Sequence, residues 1–280
     1  MNAAVSAMRA ARMASACAKP STRRRFVRRA RPLLGTLVEI GALDDIETID
    51  ELIAVDVVDD EAREAAIAAA FDRIAAVQAS LSRFDATSEI GMFNAAASGA
   101  SIAVGIDAQR VLAAAYTLRD ASDGAFDISL GSGAAAWHCE GGVLRKLSAN
   151  VRLDLGGIAK GYAVDVGVEA LVAEGVSAGW VNAGGDLRVF GAATVPIDLR
   201  DEVGGGVRRF ARLGDGAFAT SRLVDAGGTT RHASVAAPRC LWADALTKLV
   251  IARGDAALPL LGRFRARAWL HSPAGTGVEA

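Results

Sequence analysis

Cysteine, proline and aromatic residues are all scarce in this 280-residue chain, which has three Cys, six Pro and 5% aromatics. Cys17, Cys139 and Cys240 form neither an even framework nor a CxxC pair, so disulfides are not expected to hold the fold. The three histidines (His138, His232 and His271) are scattered, and His138 directly precedes Cys139, without the gap that zinc ligands need to converge. No apolar run approaches the ~20 residues of a spanning helix, and no transmembrane segment is expected. Acid is also missing from the start. Nine basic residues, from Arg9 to Arg31, precede the first acidic one, Glu39.

The formal net charge of −1 is therefore a sum of unlike parts. Beyond those nine, 22 basic residues stand against 32 acidic ones, so the body carries about −10. Thr22-Arg23-Arg24-Arg25-Phe26-Val27-Arg28 resembles a twin-arginine export signal, but Arg28, Arg29 and Arg31 stand where an apolar region should follow. Ser15-Ala16-Cys17 resembles a lipoprotein cleavage site, but Arg9 and Arg12 interrupt its apolar approach. With Phe26 the only aromatic, a nucleic-acid arm is disfavoured and no nucleic-acid partner is expected. Residues 1–30 read as a basic, disordered leader, and the compartment stays open between cytoplasm and periplasm. The body, within a chain 52% apolar and 22% charged, is neither collagen, coiled coil nor disordered, and is large enough for a sizeable core.

Residues 33–40 alternate as a strand does. The acidic stretch from Asp44 to Glu64 leads into a helix, with Ile67, Phe71, Ile74, Gln78 and Leu81 spaced four, three, four and three apart. Acids at its start suit the helix dipole. A second helix is expected from Asp107 as N-cap to a Ser122-Asp123-Gly124 stop. The second half alternates Gly-rich turns with short strands at Val151–Leu155, Trp180–Asn182, Leu187–Phe190, Pro196–Leu199 and Phe218–Thr220. Helices are expected near 158–174 and 241–253, and Gly204-Gly205-Gly206 reads as a turn between antiparallel strands. This is an α+β pattern without repeats or linkers.

Four segments are too particular for ordinary core. In Leu153–Asp165 (LDLGGIAKGYAVD) a strand, a Gly pair and a helix with Lys160 in its first turn could serve an anion or simply turn the chain. The segment matches neither GxxxxGK[ST] nor GxGxxG. Val181–Leu187 (VNAGGDL) reads as a hairpin turn or a cavity lining. In Gly124–Ser129 (GAFDIS), Asp127 caps or ligates, and Phe126 packs on a planar ring or on the core. In Trp242–Lys248 (WADALTK), Asp244 and Thr247 share a helical face, as a hard-cation site or as a helix N-cap beside a solvated Thr.

Taken together and in order, these segments resemble the ApbE family of FAD:protein FMN transferases. Arg31–Ile40, Leu81–Asn94, Gly124–Ser129, Leu153–Asp165, Val181–Gly191, Ala219–Ser221 and Ala243–Lys248 carry the resemblance, which covers about residues 30–255. It implies a single domain over residues 31–275, a T-fold-related unit of mixed and antiparallel sheets with packed helices. It also implies Mg²⁺-dependent cleavage of FAD, with FMN joined through its phosphate to a Thr or Ser of a target flavoprotein and AMP released. Leu34, Phe84, Ala125, Phe126, Asp127, Asp154 and Lys160 would touch the flavin nucleotide, and Asp186 would line the same pocket. Gly157 (through its carbonyl), Asp244 and Thr247 would hold the metal, with His232 or an Asp near the metal as base. The alternatives are an FAD-binding protein without catalysis and an FAD pyrophosphatase, and self-association as a homodimer is left open.

Two departures from the family pattern bear on that site. The His-x-x-Asp-Pro-x-Thr-Gly loop is shortened, so Arg231–Pro238 runs almost directly into Cys240–Asp244. Lys248 stands where the family has a Thr, and an ammonium there would repel a metal ion unless it points away.

Overall fold

The first hairpin starts earlier than the sequence suggests. In the computed structural model, which describes residues 26–43, 61–200, 205–224, 230–271 and 278–279, strand β1 (Phe26–Leu33) pairs with β2 (Thr36–Leu43) through a two-residue turn at Leu34-Gly35. The strand expected over 33–40 is thus split by that turn. The expected leader boundary at residue 30 is also corrected, because Phe26 and Val27 are buried. Arg28 and Arg29 point outward and pair with Glu39 and Glu64. Charges on an edge strand discourage further pairing, so part of the basic cluster belongs to the sheet. Thr22 to Arg25 of the twin-arginine segment, Cys17 and the acids Asp44 to Asp60 lie outside the described residues.

Helix α1 (Glu61–Leu81) buries Ile67, Phe71, Ile74 and Leu81 at the expected spacing, with Glu61 and Glu64 in its first turn. Helix α2 (Glu89–Ala95) is capped by Ser88, whose Oγ accepts from the Gly91 amide at 2.8 Å. After β3 (Ser101–Ala103) comes α3 (Ile106–Ala121). Its N-cap is Gly105 rather than the expected Asp107. The Asp107 carboxylate accepts instead from Arg73 at 2.8 Å and from the Tyr162 hydroxyl at 2.7 Å, stronger partners than an exposed amide. The helix stops at Ser122, and Asp123 and Gly124 follow with positive φ. Strands β4 (Trp137–Glu140) and β5 (Val143–Lys146) complete a small sheet in the order β3-β5-β4.

Val151–Leu155 forms no strand, contrary to expectation. Its backbone is pinned by a side chain, since Asn94 donates to the Leu153 carbonyl at 2.9 Å and accepts from the Leu153 amide at 2.7 Å. The segment leads into α4 (Ala159–Ala173), then β6 (Ala178–Ala183), β7 (Asp186–Phe190), β8 (Val195–Arg200), β9 (Val207–Leu213), β10 (Gly216–Val224) and β11 (Thr230–Ala237). Helix α5 (Cys240–Arg253), β12 (Arg267–His271) and β13 (Val278–Glu279) follow. The main sheet runs β1-β2-β6-β7-β10-β11-β12-β13, antiparallel throughout. Helices α1, α4 and α5 share one core with one of its faces. The β8–β9 hairpin covers the other, placing Ile197 and Leu199 with Trp180, Val189 and Phe218. Gly205 and Gly206 turn that hairpin with positive φ, while Gly204 lies outside the described residues. The architecture is α+β with antiparallel sheets and packed helices, as expected.

One contact fixes the region that matters for function. Neither α4 nor α5 has a side-chain cap of its own, the cap positions being Ile158 and Arg239. Each is capped by a buried aspartate of the other. Asp165 on α4 accepts from the Cys240 and Leu241 amides at 2.9 and 3.0 Å, and Asp244 on α5 accepts from the Gly161 amide at 3.1 Å. Each carboxylate thus satisfies start-of-helix amides and their positive dipole. Arg188 and Arg239 neutralise Asp165 at 2.8 and 3.3 Å. The helices can approach because residue 161 has no side chain, and a Cβ there would sit 2.3 Å from the Cys240 carbonyl oxygen.

Gly161→Ala should therefore lower stability by about 1–3 kcal/mol through overpacking. Asp165→Ala, which strands two buried amides and leaves Arg188 and Arg239 without their shared carboxylate, should cost about 3–5 kcal/mol. Chemical denaturation with constant m-values checks both. A neutral Gly161→Ala would mean that the helices separate freely.

Candidate active site

Three chain segments meet at the start of α4. The first is the Gly156-Gly157 turn itself. Asp154 shapes it, its Oδ1 accepting from the Gly156 amide at 2.9 Å and its Oδ2 pairing with Arg83 at 3.3 Å. Arg83 lies over the ring of Phe84 at 4.1 Å, and Phe84 is 83% exposed. Phe84 thus stands exposed next to the Arg83–Asp154 pair that borders the glycine turn.

The second segment is the β6–β7 turn. Ala183 pairs with Asp186, so Gly184 and Gly185 form a two-residue loop, both with positive φ, as hairpins of this length require. Asn182 holds it by accepting from the Gly185 amide at 2.9 Å. The hairpin reading of VNAGGDL is correct, and the turn delivers Asp186, 1% exposed, to the Lys160 ammonium at 2.7 Å. The β1–β2 turn carrying Leu34 lies alongside, since the Gly184 amide donates to Leu37.

The third segment is the first two turns of α5. The Oδ2 of Asp244 takes the Gly161 amide, and its Oδ1 accepts from Lys248 Nζ at 2.8 Å. The same ammonium donates to Ser221 Oγ at 2.5 Å and Thr247 Oγ1 at 3.1 Å. The Thr247 hydroxyl donates to the Asp244 carbonyl at 2.7 Å, and Ser221 lies 2.7 Å from Thr247. A Cβ on Gly157 would meet Lys248 Cγ at 3.4 Å and Phe126 Cε2 at 3.6 Å, so the lysine stem and the Phe126 ring both lie close to the Gly turn. Phe126 is buried and Ala125 exposed beside it. Asp127 caps: its Oδ1 accepts from the Ser129 amide and hydroxyl at 2.9 and 2.6 Å.

The sequence matches the model of the ApbE family over residues 34–144 and 138–222. The chain belongs to the ApbE family. No curated protein matches it. Among solved structures it is similar to the flavin transferase ApbE from Vibrio cholerae, with TM-score 0.74 and 20% identity over 92% of this chain and 97% of that one. The apo flavinyl transferase ApbE of Pseudomonas stutzeri gives 0.74 and 19%, covering 92% and 94%. The ApbE protein of Thermotoga maritima gives 0.70 and 19%, covering 91% and 97%. At these identities the likeness establishes the fold.

Two expectations carried over from the ApbE family need correction. On β11, Ala233, Val235 and Ala237 face the core shared with α5, so the alternate residues His232, Ser234 and Ala236 face the other side of the sheet. Ser234 confirms that side by bonding Thr220 and His271. Asp244 and Lys248 lie under the α5 face, where Ser221 reaches Thr247. His232 is therefore out of reach as their base. Its face is set by strand pairing with Arg222 and His271.

The second correction concerns Gly157, Asp244 and Thr247 as metal ligands. Both oxygens of Asp244 are taken, and the Lys248 ammonium bonds Oδ1 and the Thr247 hydroxyl together. Mg²⁺ needs those oxygens at about 2.0–2.1 Å, which would set it against an ammonium already seated on them. The donor set as arranged does not fit a divalent cation.

Sequence reasoning gave no role to Asp165, Ser221 or Arg83, and it saw Lys248 only as a departure. The missing cap residues at Ile158 and Arg239 were a usable signal for Asp165, because uncapped helix starts need a partner from elsewhere.

The electrostatics follow from burial. Burial and the neighbouring Asp244 push the Asp186 carboxyl up to about 7, against the pull of Lys160. Burial opposes the charge of Lys160, but Asp186 and Asp244 outweigh it and raise its pKa. Burial also pushes the Cys240 thiol up, with help from the same carboxylates.

Asp186 keeps its proton in the folded protein over a range where the unfolded chain, with an ordinary aspartate near 3.8, has lost it. Its contribution to stability is thus full below the unfolded value and is lost as pH rises through about 7. The excess melting temperature of the native protein over Asp186→Asn should shrink from about pH 4 to about pH 7 and then level. An excess that grows with pH would mean that Lys160 depresses the carboxyl instead.

Proposed function

We propose that this ApbE-family protein is a flavin transferase that moves FMN from FAD to a Thr or Ser hydroxyl of a target flavoprotein and releases AMP. The observation that carries the reading is the meeting of Gly156-Gly157, Lys160 and Lys248 at one helix start. Glycine backbone admits a close ligand, the amides of a helix start favour an anion, and two ammonium groups suit a diphosphate. The flavin transferases of the same fold support it. Counted from Phe26 the body has 25 basic and 32 acidic residues, about −7, which would repel anionic FAD at long range, so attraction must come from these local cations.

In the reaction, the acceptor hydroxyl oxygen attacks the phosphorus on the riboflavin side of the FAD diphosphate. The P–O bond to the adenylate half breaks, AMP leaves with the bridging oxygen, and a phosphodiester to the acceptor forms. The hydroxyl proton passes to a base. Asp186, held near neutrality, has the proton affinity for that step. Lys160 and Lys248 would face the charge that develops on the leaving phosphate. Phe84 would offer its exposed ring to the isoalloxazine, while Phe126 closes the inner end.

One observation favours a second reading, FAD binding or hydrolysis without transfer: His232 faces away from the site. Incubation with FAD and a flavoprotein bearing an acceptor Thr separates the two by mass spectrometry. Transfer gives an acceptor heavier by FMN together with AMP, and Lys160→Ala or Asp244→Ala should lower the rate at least about 10²-fold. AMP and FMN without adduct supports hydrolysis, binding alone supports storage, and no FAD binding contradicts both.

A further inference from the structure

We propose that the Lys248 ammonium takes the place of a divalent cation in this protein, so that FAD binding and FMN transfer proceed without metal. The proposal rests on the flavin-transferase reading for its substrate, but its structural basis is independent. Four oxygens surround Nζ: Ser221 Oγ at 2.5 Å, Asp244 Oδ1 at 2.8 Å, Thr247 Oγ1 at 3.1 Å and the Asp244 carbonyl at 3.4 Å. Carboxylate, hydroxyl and carbonyl oxygens are the donor set of a hard cation. Here they are arranged at N–H···O distances around a cation that the chain itself supplies.

The placement follows from helix geometry. Lys248 is four residues after Asp244, so its side chain lies over the same helix face and its charge returns to that carboxylate. The aliphatic stem passes close to Gly157, where an added Cβ would lie 3.4 Å from Lys248 Cγ, at van der Waals contact. The side chain is 37% exposed, so the charge borders open space at the Gly turn. Asp186 and Asp244 are already balanced by Lys160 and Lys248. A further dication would bring two uncompensated charges into a buried site and meet an ammonium within hydrogen-bond distance of its ligands. A lysine cannot act as a Lewis acid, but as a point charge it can stabilise negative charge on a phosphate, and its own helix keeps it in place before substrate arrives.

The test uses the full chain after EDTA treatment and dialysis. FAD affinity, read by flavin fluorescence, should be the same within about twofold with EDTA or with excess Mg²⁺. Lys248→Met, which keeps the stem and removes the charge, should bind FAD about tenfold or more weakly in EDTA. Lys248→Arg, which keeps the charge, should stay insensitive to EDTA. FAD binding that requires Mg²⁺ in the native protein, or a Lys248→Met variant that binds as the native protein does in EDTA, would overturn the proposal. If FAD does not bind under any condition, the flavin reading fails, and calorimetric titration with Mn²⁺ alone decides the rest. No stoichiometric uptake by the native protein supports a lysine-filled site. Uptake that is lost in Asp244→Asn refutes it.

Discussion

Two helices that cannot cap themselves exchange caps, and the rest of the site is arranged around that exchange. Asp165 of α4 closes the start of α5, and Asp244 of α5 closes the start of α4. Both carboxylates are fully buried, where an unpaired charge would be untenable, so each must also find a cation. Asp165 finds two arginines, and Asp244 finds Lys248. The helices must then lie close enough for side chain to reach backbone, which is why residue 161 is glycine. Packing, capping and charge pairing are one constraint seen at three levels.

The chemistry draws on the same constraint. Asp244 cannot move without uncapping α4, so the ammonium bonded to it is fixed, and with it the charge beside the Gly156-Gly157 turn. Asp186, brought in by a tight β-turn, feels Asp244 across the site and is held near neutrality despite Lys160. A site with two buried carboxylates and two lysines is close to neutral overall.

Much of this was legible in the sequence, and the parts that were not have physical reasons. The spacing of Ile67, Phe71, Ile74 and Leu81 gave α1 because one helical face is buried. Gly184-Gly185 gave its hairpin because few other pairs adopt that turn. Val151–Leu155 looked like a strand because apolar alternation reports burial, not partners, and its partner is the amide of Asn94. Asp107 looked like a cap because sequence cannot show a distant Arg73 and Tyr162. Of the residues the resemblance assigns, Asp154, Lys160, Asp186 and Asp244 lie around one helix start, where Asp154 holds the Gly156 amide, Asp186 pairs with Lys160 and Asp244 takes the Gly161 amide. The resemblance offered His232 as base, whereas strand register puts it on the other side of the sheet from Asp244. Lys248 was visible as a charge in the wrong place, but only the geometry gives it four oxygens.

Native-state hydrogen exchange of three amides tests the reciprocal capping most directly. If the account is right, Gly161, Cys240 and Leu241 exchange only with global unfolding and share one opening free energy, since none can open while the other helix stays in place. Exchange at Gly161 through a low-energy local opening, with Cys240 and Leu241 still protected, would contradict it. Asp244 would then be no fixed anchor for the charges around it.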